Sequence, residues 1–120
     1  MVQPIMSRII YKVSPRPEWQ AAQSSRTYKG SDDDARDGFI HFSSASQLAT
    51  TLAKHFAGQK DLVLISVDIR TLGDLLKWEK SRKGELFPHL YGPLSVSDVI
   101  RVQNLPLGEN GHILPDLETA

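Results

Sequence analysis

The chain contains no cysteine. That absence removes disulfides, thiol nucleophiles and zinc–thiolate sites together. Nor is there an excess of charge, since fourteen basic residues balance fourteen acidic ones. No global field therefore draws the chain to DNA or to an acidic membrane, and neither is expected as a partner. No apolar run reaches the length of a membrane span, and the opening MVQPIMSRIIYKV lacks the apolar core of a secretory signal. The expected compartment is the cytoplasm. Neither Gly-x-Gly-x-x-Gly nor a P-loop occurs, so the usual dinucleotide and triphosphate cradles are missing. There is no nucleophile elbow, and no two histidines stand at helical or hairpin metal spacing, so no metal site is expected.

What remains is an ordinary soluble composition, 40% apolar and 23% charged over 120 residues. It predicts one domain spanning residues 1–120 that buries about two-thirds of its unfolded surface. Arg8 to Val13 (RIIYKV) reads as a first strand. Ser14 offers a cap, Pro15 suits the first helical position, and PRPEWQAAQ reads as a short helix. Lys29 to Arg36 (KGSDDDAR) reads as a polar, acidic loop, and Phe39 to Ser43 as a second strand. Ser44 with Gln47 fits a capping box for a helix carrying the stripe Ala45, Leu48, Ala49, Leu52 and Phe56.

The clearest strand is Asp61 to Asp68 (DLVLISVD), aliphatic on both faces in its first half and so expected at the centre of a sheet. Leu75 to Glu79, Phe87 to Tyr91 and Ser97 to Leu105 read as further strands, with Pro88 placing its strand at an edge or a bulge. Residues 106–120 read as a tail. The sum is an α+β fold with two main helices and five or six strands, largely antiparallel because the later loops are too short for crossovers.

Strand parity then sorts the chemistry. Side chains alternate faces, so Phe39, His41 and Ser43 share one face while Ile40 and Phe42 share the other, expected to receive the Ala/Leu helix stripe. The same rule groups Phe87, His89 and Tyr91. Two aromatic-plus-histidine faces lining one cleft would make a small-molecule site. The competing readings are a half-buried histidine donating to a backbone carbonyl, and a Ser43 that only caps a helix. His55 is read as structural, and His112 carries no role.

The second place with chemistry is Lys77 to Glu85 (KWEKSRKGE), a local excess of cations. Ser81 and Arg82 can offer backbone N–H groups and a guanidinium fork to phosphate or carboxylate, with Trp78 beside them. Glu79, the carboxylate inside this aromatic and cationic stretch, is the candidate general base or ribose-hydroxyl acceptor. A solvated hairpin loop, with Glu79 paired to Lys80 or Arg82, is the alternative.

Taken together, IYKV, EW, DGFIHFSS, HFAG, DLVLISVD and LKWEKSRKGELFPHLYG resemble a bacterial family of unknown function, DUF952, over about residues 8–105. The resemblance implies an ADP-ribosyltransferase-like fold, a split β-sheet whose cleft holds NAD in active members. IHFS also looks like the histidine-bearing strand of the RNA 2′-phosphotransferases, which share that fold. Set against the active members of that fold, the resemblance implies Ser43 for their middle-strand Tyr or Ser and Glu79 for their late Glu, whereas the first strand carries Tyr11 and Lys12 in place of their His or Arg.

The resulting expectation is a cleft for NAD, ADP-ribose or a related phosphate ester, with NAD as the candidate cofactor. His41 and Ser43 would bond a ribose or an amide, and His89 would lie on the same wall. Phe39, Phe87 and Tyr91 would stack on a ring, Arg82 would hold phosphate, and Glu79 would stabilise charge developing on the ribose. The alternative is a non-catalytic module that binds a small acidic metabolite or a partner peptide in the same cleft. The oligomeric state is left open.

Overall fold

The computed structural model describes residues 8–81 and 84–117. In chain order the elements are β1 (Ile9–Pro15), α1 (Arg16–Ser25), β2 (Thr27–Tyr28), α2 (Asp32–Asp37), β3 (Ile40–His41) and α3 (Leu48–His55). Then follow β4 (Leu62–Asp68), β5 (Leu76–Lys80), β6 (Leu86–Leu90), β7 (Leu94–Ser95), β8 (Val99–Leu105), β9 (Leu107–Gly108) and β10 (Gly111–His112). The fold is α+β, and every strand pairing among the described residues is antiparallel. Two three-stranded sheets carry it, in the orders β1-β4-β8 and β3-β6-β5. No helix among the described residues is long and apolar enough to cross a membrane.

The aliphatic run of β4 explains the layering. Val63, Ile65 and Val67 face one core, with Trp19 and Ala22 of α1, Ile40, Phe42 and Leu90. Leu62 and Leu64 face a second core, with Tyr11, Val13, and Leu48 and Leu52 of α3. A strand apolar on both faces thus sits between two cores, as its composition demands. The expected seat of the α3 stripe is corrected. It packs on the second core, across the first sheet from Ile40 and Phe42, and Ala49 is exposed.

Pro88 shapes the second sheet. It lies in the central strand of β3-β6-β5, contrary to the edge or bulge position expected for a proline. The Phe42 N–H donates to the Pro88 carbonyl at 2.9 Å, but Pro88 has no N–H to return. Strand pairing with β6 therefore ends after His41, and β3 is two residues long where five were expected. One residue on, Ser43 leaves for the other sheet and exchanges both backbone hydrogen bonds with Tyr11 at 2.8 Å. The chain stitches the two sheets together at this point.

Three further expectations are corrected. The first helix begins at Arg16, because β1 continues through Pro15 and keeps Ser14 buried in the strand, its hydroxyl donating to the Pro15 carbonyl. Residues 32–37 form a third helix, not a loop: Ser31 and Asp34 make a capping box, and three aspartates complement the positive N-terminal end. The stretch after Pro106 is not a bare tail, for β9 and β10 form a hairpin and Leu114 and Leu117 pack on the second core.

Candidate functional site

The β3–β6 register sets His41 opposite His89. Alternation then gathers the rings: Phe39 stacks on His89 with centroids 4.1 Å apart, and lies 4.6 Å from His41 and 5.1 Å from Tyr91. The two imidazoles stand edge to face at 5.3 Å. They line a cleft of about 310 Å³ that also takes in Lys12 of β1, Asp34 and Asp37 of α2, and Thr51 of α3.

Each histidine is oriented by a carboxylate. Asp34 is 2% exposed and accepts from four donors: Lys12 Nζ at 2.7 Å, His41 Nδ1 at 2.6 Å, the Ser31 N–H at 2.9 Å and the His41 N–H at 3.1 Å. Burial pushes its carboxyl up, but the hydrogen bond from His41 and the Lys12 ammonium outweigh burial and hold it well below the usual carboxylate range. On the other wall, Glu79 Oε1 meets His89 Nδ1 at 2.8 Å and accepts from the Tyr91 hydroxyl at 2.7 Å. The Tyr91 hydroxyl, then His89, lower the Glu79 carboxyl below its ordinary value, and the same contact raises the Tyr91 phenol. At His89 a carboxylate on Nδ1 selects the tautomer and leaves Nε2 to the cleft, whereas His41 meets a carboxylate on each ring nitrogen. His89 Nε2 has no protein partner among the described residues.

His41, Ser43, Ser81, Phe87 and His89 all line the cleft. Phe39 and Tyr91 pack against its imidazole wall. Ser43 is buried and its hydroxyl is bonded to Thr51 Oγ1 at 2.8 Å, so it braces the segment after β3 against α3. Glu79 shares the face of His89 and meets its Nδ1, but it is not itself among the residues that line the cleft. Trp78 does not belong to the cleft. It pairs with Pro88, and alternation sends both to the face opposite Glu79 and His89. Arg82 lies outside the described residues. Among those that are described, no group of three His, Asp or Glu is placed to hold a metal ion.

Lys12, Asp34 and Asp37 were not foreseen. A signal for Lys12 existed: it is the one cation inside the apolar run IIYKV. Gly30 secures the arrangement. A Cβ there would stand 2.5 Å from Asp34 Oδ2, on a backbone at φ +94°. Gly30→Ala is therefore expected to displace Asp34 and to lower stability by about 2 kcal/mol, combining left-handed strain with a disturbed ion pair. Urea unfolding checks this, and a loss below half that value would contradict it.

The family model described as "Protein of unknown function (DUF952)" matches residues 13–102. The chain is 49% identical to protein CC0527 from Caulobacter crescentus in its X-ray crystal structure, over 87% of this chain and 91% of that one, with a TM-score of 0.83. Against the solution NMR structure of CC0527 the identity is 48%, over 88% and 90% of the two chains, with a TM-score of 0.79. No curated protein matches. Matched over three quarters of its length, the chain belongs to the DUF952 family.

Proposed function

We propose that the cleft takes NAD, ADP-ribose or a related phosphate ester, in an ADP-ribosyltransferase-like fold acting in the cytoplasm, with His89 exchanging protons with the ligand. One observation carries the reading: a buried imidazole, fixed by Glu79 on one nitrogen and by Phe39 on its face, turns its other nitrogen to a cleft. That is the arrangement of a positioned general acid or base. The division into two three-stranded antiparallel sheets stitched at Tyr11 and Ser43 supports the fold assignment. Ser81 lines the cleft, and Arg82, next to it in sequence, is the residue proposed to donate hydrogen bonds to phosphate.

NAD or ADP-ribose is expected to shift the amide signals of residues 39–43, 81 and 87–91 in an NMR titration. His89→Asn should weaken binding by about 0.5–1.5 kcal/mol, the range for a neutral hydrogen bond, and slow any turnover by roughly 10²–10⁴-fold. Silence at those amides at millimolar ligand would defeat the nucleotide reading. A second reading, a non-catalytic module for a small acidic metabolite or a peptide, draws on His41, both of whose ring nitrogens face carboxylates and not the open cleft. Binding without turnover would favour it.

A further inference from the structure

His41 stands between two carboxylates that differ in every property relevant to exchange. Nδ1 meets Asp34 at 2.6 Å and Nε2 meets Asp37 Oδ2 at 3.1 Å. Asp34 is 2% exposed and cannot leave without stranding the buried Lys12. Asp37 is 36% exposed and ends α2, directly before Gly38 in its left-handed conformation. Its second oxygen, Oδ1, receives Arg36 Nε at 3.3 Å, from a guanidinium that is 68% exposed. Turning Asp37 out into water would forfeit only surface contacts, which are worth little.

We propose that Asp37 is an internal stand-in: its carboxylate fills, between His41 Nε2 and the Arg36 guanidinium, the place that an anionic oxygen of the ligand takes. An imidazole N–H and a guanidinium converging on the two oxygens of one carboxylate are the donor set of an anion site. Arg36 and Asp37 both line the cleft, so the place opens onto it. The neighbouring charges act in the same direction. Asp33, which pairs with Arg36 at 3.0 Å, and Asp34 also face this end of the cleft, so an arriving phosphate or carboxylate meets their charge as well, and withdrawal of Asp37 lowers that repulsion while it frees the two donors. Once it has, the ligand inherits both donors. The proposal rests on the cleft's ligand carrying an anionic group, as the reading above requires.

Calorimetric titration with inorganic phosphate and with acetate tests it, on wild type, Asp37→Ala and Asp33→Ala. Both variants remove one negative charge from α2, but only the first vacates the His41 position. Asp37→Ala is expected to bind phosphate roughly tenfold tighter than wild type, and Asp33→Ala within roughly twofold of it. The His41 Nε2 resonance should move on adding phosphate to Asp37→Ala. Asp37→Ser, which restores a polar side chain at the helix end, should behave as the alanine variant does. A gain for acetate as well would extend the site to carboxylates. Equal gains in the Asp33 and Asp37 variants, an unmoved His41 signal, or no tighter binding of either anion would overturn the proposal. ADP-ribose separates the two readings. If it binds wild type but no tighter to Asp37→Ala, the stand-in fails alone. If phosphate shows the gain while NAD and ADP-ribose leave the protein unperturbed, the nucleotide reading fails alone.

Discussion

Replacing Asp34 by alanine is expected to lower the unfolding free energy by about 3–5 kcal/mol at neutral pH, the cost of stranding one partner of a buried ion pair. The Lys12 side chain is 8% exposed, and Asp34 Oδ2 is its counter-charge at 2.7 Å. Removing the carboxylate also strips His41 Nδ1 and the Ser31 N–H of their acceptor. The double variant Lys12→Met/Asp34→Leu should recover a large part of the loss, because two buried charges removed together leave neither unpaired. Urea unfolding with an unchanged m-value measures both, and a loss below about 1 kcal/mol in the single variant would refute the account. The pH dependence has a definite sign. The Asp34 carboxyl lies below its ordinary value of 3.8 in the folded protein, so the unfolded chain takes up the proton first. Its contribution is fully present above that value and drains away as pH falls further, through the folded-state value. The gap between wild type and Asp34→Ala should therefore be widest near neutrality and narrow as the pH drops below 3.8.

The features that could be read from the sequence are those that depend on neighbours along the chain. Alternation is a local rule, and it groups Phe39 with His41 and Phe87 with His89 and Tyr91 without reference to which strands pair. The run LVLISVD announced a strand covered on both faces, and Gln47 accepts from the Ser44 N–H at 3.0 Å as a capping box requires. What escaped depends on partners far away in sequence. Three successive aspartates look like a solvated loop until Ser31 and Asp34 cap one another and Lys12, twenty-two positions earlier, arrives as a counter-charge. Trp78 lies beside Ser81 and Arg82 in sequence, yet alternation along β5 turns it to the face opposite Glu79 and His89. Pro88 was judged by the N–H it lacks. Its carbonyl still accepts from Phe42, and the missing donor shortened β3 without moving β6 from the centre.

Two phenylalanines three positions apart should fail in opposite ways when cut to alanine. Phe42 is 2% exposed in the core between the first sheet, Trp19 and Leu90, and its backbone is the last link to β6 before the chain crosses to Tyr11. Phe42→Ala is expected to cost about 3–5 kcal/mol of stability, the loss for emptying an aromatic site in a packed core. Phe39 points the other way and is only half-buried. Its ring touches His89, His41 and Tyr91, contacts worth about 0.5–1.5 kcal/mol beyond area burial, so Phe39→Ala should unfold only slightly more easily. Its consequence lies in the cleft: without the stacked ring, His89 keeps Glu79 on one nitrogen but loses the surface that holds its plane. The Phe39→Ala protein is thus expected to show a shifted and broadened His89 side-chain signal and weakened ligand response, with most of its stability intact. Phe42→Ala, at a temperature where it remains folded, should leave the His89 signal in place. Equal stability losses in the two variants, or a His89 signal that follows Phe42 rather than Phe39, would mean that the two faces of this short extended segment around β3 are not divided between holding the fold and shaping the cleft.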